Sequence, residues 1–344
     1  MPLLLLIQSV FYDRPRLFKQ LKSDIKSTND LKLFIANLHS NDPFKSIAKG
    51  RLDVGLNSAQ KLESLNIQWL DQSSPYYPSL LHHLDDPPLG FFFIGDPTIL
   101  TDSLVGMVGT RRPSLTAESR LQSVFKQING ISTVSGGALG IDAIVHKLSL
   151  HFGIKTVCVL ASGLDLLTPK TNLPLFKQMI QSGRACIISE CPPGVIPKPY
   201  FFPQRNRIIA ALSQRLIVVE AAKRSGAVLT ANLAAGLGRD VGAMVSGYND
   251  AKCEGCYELL NDGAFCIGNH QMLHDFLGTI PLTVHTGMTE THSILEKIPI
   301  EPIHVEHLAQ LIGVSLEKTI ELVTKMSLND QVVLSAGQMV NRCE

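Results

Sequence analysis

Four short stretches carry residue types suited to holding an anion. VGTRRPS (108–114), SGGALGID (135–142) and SGAVLTA (225–231) each follow an apolar run and precede a helical pattern. Glycine lets the backbone turn tightly there, and the start of a helix leaves N–H groups free for an anionic group. Arg111 and Arg112 add charge to the first turn, while Ser225 and Thr230 bring hydroxyls to the third. The fourth stretch, FPQRNRIIAALS (202–213), places Arg205, Asn206 and Arg207 at the start of an apolar helix. A guanidinium is a planar fork of donors that matches phosphate. Two arginines two residues apart point in different directions on a helix, so each meets a different group, and Asn206 is placed to cap the helix or bond a sugar or base. Tyr200, Phe201 and Phe202 lie just upstream, and aromatic faces beside cations suit stacked, unpaired bases. The plainer readings are helix caps and tight packing for the turns, core positions for Phe201 and Phe202, and solvated arginines.

Other chemistries find less support. No GxGxxG, GxxxxGK[ST] or GxSxG string occurs, which argues against a standard dinucleotide site, a nucleoside triphosphate site and a hydrolase nucleophile elbow. Asp142, Asp165 and Glu190 each lie near a strand end, and His146 follows Asp142 by one helical turn. These acids read as helix caps or acceptors of backbone amides rather than as a catalytic pair. CEGC (253–256), with Cys266 and His270 behind it, offers four zinc-type ligands, but the spacing matches no ribbon pattern. The cysteines are therefore read as reduced and ordinary, with neither metal nor cofactor expected. His82 and His83 are read as surface residues.

The elements that must position these turns come from six continuous apolar runs at 103–109, 131–135, 155–161, 185–189, 215–221 and 241–246. Continuous runs suit strands buried on both faces, and helix-length stretches such as LTAESRLQSVFKQI and AIVHKLSLHF separate them. This predicts an α/β fold, a Rossmann-like doubly wound and mostly parallel sheet, which binds ligands at the carboxyl ends of its strands. The expected organisation is a helical module over 1–75, a Rossmann-like domain over 76–280 and a winged-helix module over 285–344. In the last, VEHLAQLIG is a helix stopped by Gly313, Ser315 caps a second helix with Leu316, Ile320 and Val323 on one face, and QVVLSAGQMV is a hairpin. That module holds four Lys/Arg against eight Asp/Glu, which suits a protein contact better than DNA phosphate.

The 344 residues are 45% hydrophobic with a net charge of +1, so any polyanion must be met by a local patch. One exists between Lys198 and Arg224, where Glu220 is the only acid. The apolar run Leu3–Ile7 is too short to span a bilayer and lacks a basic flank, so no signal peptide and no membrane segment are expected. Seven cysteines fit a reducing, cytoplasmic setting.

The ordered strings VGTRRPS, VSGGALGIDAIVHKLSL, VLASGLDLLTP, ISECPPG, FPQRNRIIAALS, VVEAAKRSGAVLTA and GRDVGAMVSG resemble the DprA/Smf family of DNA-processing proteins. The resemblance implies a homodimer rather than an enzyme. It implies binding and protection of single-stranded DNA during natural transformation, and loading of a RecA-type recombinase on it. The DNA-contacting set is then Gly109, Thr110, Arg111, Ser135, Gly136, Gly137, Phe202, Arg205, Asn206, Arg207, Lys223, Ser225 and Gly226. Leu139 stands where the family carries a basic residue, which removes one phosphate contact. Leu237, Ser246 and Tyr257 are further departures. The alternative weighed against this is a nucleotide or phosphoribosyl hydrolase using the same turns to hold a mononucleotide phosphate.

Overall fold

A computed structural model describes residues 7, 10, 25–39, 42–128, 130–245, 250–278, 298, 302–312, 314–328, 332–335 and 339–342. They form two compact units, 1–280 and 281–344. The first is built on a nine-stranded sheet. Its strands are β1 (Gln68–Asp71), β2 (Gly90–Gly95), β3 (Leu104–Val108), β4 (Ser132–Gly136), β5 (Thr156–Leu160), β6 (Ala185–Ser189), β7 (Arg215–Val218), β8 (Asp240–Met244) and β9 (Phe265–Ile267). Their spatial order is β1-β2-β6-β5-β4-β3-β7-β8-β9. The pairs β1–β2 and β2–β6 are antiparallel, and from β6 to β9 every pair is parallel.

The central parallel strands β3 to β6 are buried on both faces, which is why they read as unbroken apolar runs. Within β3, Leu104 and Val108 join one core while Val105 and Met107 join another; within β5, Val157 and Val159 face one way and Cys158 and Leu160 the other. On one face lie α3 (Leu115–Gln127), α4 (Ile141–His151), α5 (Leu173–Gln181) and α9 (His270–Leu277). They bury Leu121, Val145, Phe176 and Leu273 among others. On the other lie α6 (Phe201–Leu212), α7 (Gly226–Gly236) and α8 (Glu254–Asn261), through Ile208, Ala231 and Leu259. Helices α1 (Thr28–Asn37) and α2 (Pro43–Ser64) form a smaller core of their own around Leu31, Ile35 and Phe44.

The six apolar runs correspond to β3 through β8. The three remaining strands carried weaker signals. GFFFIG of β2 sits beside a proline-rich stretch, QWLD of β1 is four residues long, and FCI of β9 is three.

Chain order fixes where a ligand can enter. From β3 the chain winds outward through β4 and β5 to β6. It then returns along α6 to β7 on the opposite side of β3, and winds the other way to β8 and β9. The loops after β3 and β7 therefore diverge, leaving a crevice at the carboxyl end of the sheet.

The second unit contains α10 (Val305–Ile312), α11 (Leu316–Leu328) and the antiparallel strands β10 (Ile303–His304), β12 (Met339–Arg342) and β11 (Val332–Ser335), in that spatial order. Val305, Leu308, Val323, Val332 and Val340 make its core. Of the face expected from Leu316, Ile320 and Val323, only Val323 is buried. Gly313, Ser246 and the hairpin turn at 336–338 lie outside the described residues. No described helix is long and apolar enough to cross a membrane.

Candidate nucleic-acid interface

The floor of the crevice is braced by bonds between loops distant in sequence. Glu220, directly after β7, is buried. Its carboxylate accepts from the backbone N–H of Ser114 at 3.1 Å and from Ser114 Oγ at 2.5 Å, and its carbonyl accepts from Thr110 N at 2.7 Å. Ser114 also caps α3, accepting from Ala117 N at 3.1 Å. On the other side, Ile141 N donates to the Thr110 carbonyl at 3.1 Å. Gly140 makes this closure possible. Its φ is +77°, and a Cβ there would overlap the Thr110 carbonyl and the Arg111 backbone. The lone acid of the basic stretch thus bolts the two diverging loops together.

Two adjoining cavities open on this rim. The first, about 270 Å³, is lined by the turn after β3 (Gly109, Thr110, Arg111), the start of α7 (Ser225, Gly226) and the start of α6 (Phe202, Arg205, Asn206). The second, about 190 Å³, has more apolar walls, including Leu139, Leu160, Ala161, Pro169 and Pro197, with Gly137 beside them. Arg111, Ala138, Phe202 and Arg205 line both. The exposed Arg111 guanidinium lies 5.4 Å from the centroid of the Phe202 ring, within cation–π range.

Arg205 reaches the shared wall from below. It is 7% exposed, Nη1 donates to the Val159 carbonyl at 2.7 Å, and Nε has no acceptor among the described residues. Burial pushes its guanidinium down, against the opposing pull of Asp142. The Asp142 carboxyl is pushed up by burial, with the Arg205 charge pulling the other way. Gly136 lies between the two, and a Cβ there would overlap Arg205 Nη1 and Asp142 Oδ2. The first glycine of the Ser135 motif is therefore required by the close approach of an arginine 69 positions later.

The FPQRNR motif divides at this point. Arg205 faces the cavities, but Arg207 does not. Its Nη2 pairs with both carboxylate oxygens of Glu190 at 2.9 and 2.7 Å, and its Nη1 donates to the Asp86 carbonyl at 2.7 Å with the Asp86 carboxylate at 3.7 Å. The expectation that both arginines offer their forks to phosphate is thus corrected for Arg207, which carboxylates hold internally. Asn206 neither caps α6 nor stands free, because its Nδ2 donates to the Gly226 carbonyl at 3.3 Å. Phe201 is core, Phe202 lines the cavities and Tyr200 is exposed.

Of the remaining residues, Ser135 is buried and donates to the Met107 carbonyl at 2.7 Å, so it supports the floor. Lys223 lines neither cavity and pairs with Glu258 at 2.5 Å. Ser225 caps α7 through Val228 N at 3.3 Å while still lining the first cavity.

The acids behave as amide or guanidinium partners: Asp142 accepts from Ala138 N at 3.3 Å, Asp165 from Gly194 N at 2.8 Å, and Glu190 takes Arg207. His146 is wholly buried, bonded to the Thr156 hydroxyl at 2.8 Å and the Gly136 carbonyl at 2.9 Å. Burial pushes its pKa down to about 4, so it is a neutral structural group. Cys253 and Cys256 are buried, and burial pushes the Cys256 thiol up to about 12. Among the described residues no three His, Cys, Asp or Glu side chains converge as a metal site. Sequence reasoning missed the apolar wall of the second cavity, since Leu160, Pro169 and Pro197 carry no local signal of a shared pocket.

Residues 68–278 match the family described as DNA recombination-mediator protein A. Protein Smf of Synechocystis sp. is 37% identical over 236 residues, covering 66% of this chain and 59% of the relative. DNA processing protein DprA of Streptococcus pneumoniae is 36% identical over 196 residues, covering 57% of this chain and 69% of the relative. The chain thus spans less than two thirds of the Synechocystis relative. The crystal structure of the S. pneumoniae protein superposes with a TM-score of 0.63 at 28% identity, over 79% of this chain and 93% of that one. A structure of DNA processing protein A from Helicobacter pylori, described for its single-stranded DNA binding mode, gives 0.54 at 30% identity over 61% of this chain and 95% of that one.

Proposed function

Since the chain belongs to the DNA recombination-mediator protein A family, we propose that it binds single-stranded DNA in the crevice between the loops after β3 and β7. The observation that carries this reading is the wall common to both cavities, where Arg111, Phe202 and Arg205 stand together. The first cavity offers two guanidinium groups, the Ser225 hydroxyl and the start of α7 to a phosphate. The second offers Phe202, two prolines and two leucines to an unpaired base. A duplex keeps its bases stacked inside, so this pairing of a polar and an apolar pocket favours the single strand. The DNA-contacting set is then Gly109, Thr110, Arg111, Gly137, Phe202, Arg205, Asn206, Ser225 and Gly226, with Ser135 and Gly136 beneath as support. Arg207 and Lys223 fall outside it. As in the function the family resemblance implies, the bound strand is protected during natural transformation and passed to a RecA-type recombinase by a homodimer. The acidic 281–344 unit, proposed as a winged helix, serves protein contacts.

The test is a mobility-shift titration of unpaired and duplex oligonucleotides across a salt series. Tight binding of the single strand alone is expected, with log affinity falling against log salt at about −0.7 per phosphate contact. Equal binding of duplex, or a flat salt response, overturns the reading. One observation favours a second reading: Asp142 combines a raised pKa with a place in the cavity wall. Release of free base from nucleoside monophosphates, followed by chromatography, would establish the hydrolase alternative.

A further inference from the structure

A larger groove lies away from the crevice. It occupies about 790 Å³ between α3, α4 and α5, near their carboxyl ends. Its lining holds Lys126, Lys147 and His151 as cations or potential cations, with the Phe152 ring and the amides of Gln122 and Gln178 between them. No aspartate or glutamate lines it. Lys126, Lys147, His151 and Phe152 are all exposed. None of the three basic residues forms an ion pair with a described residue. Arg184, two residues after the lining Ser182, donates to the Gly153 carbonyl at 2.8 Å.

Lys126 and His151 belong to the last turns of their helices, where a cation offsets the helix dipole. That accounts for two of the charges. It does not account for Lys147, which sits a turn earlier, or for an aromatic ring left open among them. Phe152 is stacked on Phe125 at 6.2 Å and meets the His151 ring edge-on at 4.9 Å, which places its ring at the groove. Separated cations interleaved with an aromatic face are the elements of a track for unpaired nucleic acid, whose backbone follows the charges while a base stacks on the ring.

One helix runs from the rim of the crevice to the groove. Helix α3 starts three residues after Arg112 and carries Lys126 in its last turn, over a length of about 20 Å. Along it Leu115, Ser119, Gln122 and Lys126 are spaced to form one stripe. The one acid of α3 is Glu118, and α5 has none.

We propose that this groove is a second contact for unpaired nucleic acid, which engages a further segment of the strand whose first segment occupies the crevice. The proposal rests on the single-strand reading given above, and the experiment separates the two. Lys126→Gln, Lys147→Gln and His151→Gln are combined in the full chain, and retained melting temperature establishes folding. Affinity is measured for an oligonucleotide of about 5 nucleotides, near the low end of single-strand site sizes, and one of about 30, well past the high end.

The triple variant is expected to bind the short oligonucleotide as the parent does. It should bind the long one at least 10-fold more weakly, with a salt slope shallower by about 1.5 to 2, as the loss of two to three phosphate contacts requires. Unchanged affinity and slope for the long oligonucleotide overturn the groove while leaving the crevice standing. Failure of the parent to bind either length overturns the crevice reading and the groove with it. If the triple variant unfolds, Lys147→Glu alone replaces it under the same criteria.

Discussion

Arg205 and Arg207 leave the same turn of α6 and enter opposite environments. On the Arg205 side the nearest carboxyl, Asp142, is buried with a raised pKa, and the guanidinium stands in the wall of two cavities. On the Arg207 side Glu190 and Asp86 meet the fork directly, and the side chain is only 11% exposed. The pair shows that a basic residue in a motif stays available to a ligand only if the fold has not already supplied its anion.

The largest effect that could sharpen or break this contrast comes from Arg207→Ala. Removing one partner of a buried pair leaves the Glu190 carboxylate without its guanidinium, which should cost about 3 to 5 kcal/mol of stability, read from the denaturant midpoint. The surviving folded protein should bind oligonucleotide as before; a stable variant that has lost binding would reverse the assignment. Next comes the floor beneath the crevice. The His146 pKa is depressed from 6.5 to about 4, so its neutral state contributes stability above pH 6.5 that is lost as pH falls toward 4. The loss is on the order of 3 kcal/mol, and unfolding measured over that window should flatten in His146→Gln.

On the crevice side, Arg111→Ala changes an exposed residue and should leave stability intact. Oligonucleotide affinity should fall by about 10- to 100-fold, the worth of a charge-assisted bond of roughly 1.5 to 3 kcal/mol, with the salt slope shallower by about 0.7. An unchanged slope would remove Arg111 from the phosphate contacts. The smallest effect is expected for Lys223→Ala. Lys223 already pairs with Glu258 outside both cavities, so affinity should match the parent in the same titration. A loss as large as that for Arg111 would move the site boundary outward and weaken the contrast.

Much of the architecture was legible before any coordinates. The parallel strands announced themselves because burial on both faces demands apolar residues at consecutive positions, and ACIIS or TVCVL has no other easy reading. The antiparallel edge was not legible. Gly90–Gly95 pairs with Gln68–Asp71 across a proline-rich stretch, and pairing across such a gap leaves no local periodicity. In the second unit, periodicity placed Leu316 and Ile320 with Val323, yet only the last is covered.

By itself the sequence determined which groups could bind an anion: glycine turns after strands, helix starts, hydroxyls and guanidinium forks, all local chemistry of a few adjacent residues. Only the tertiary structure decided which of them remain available. Arg207 meets Glu190 across 17 positions, Glu220 reaches back 106 to fasten Ser114, and Gly136 is small because Arg205 must pass it. The reason is physical: a charge is satisfied by whatever lies within a few ångströms of it, and that neighbour is set by the winding of the sheet rather than by distance along the chain.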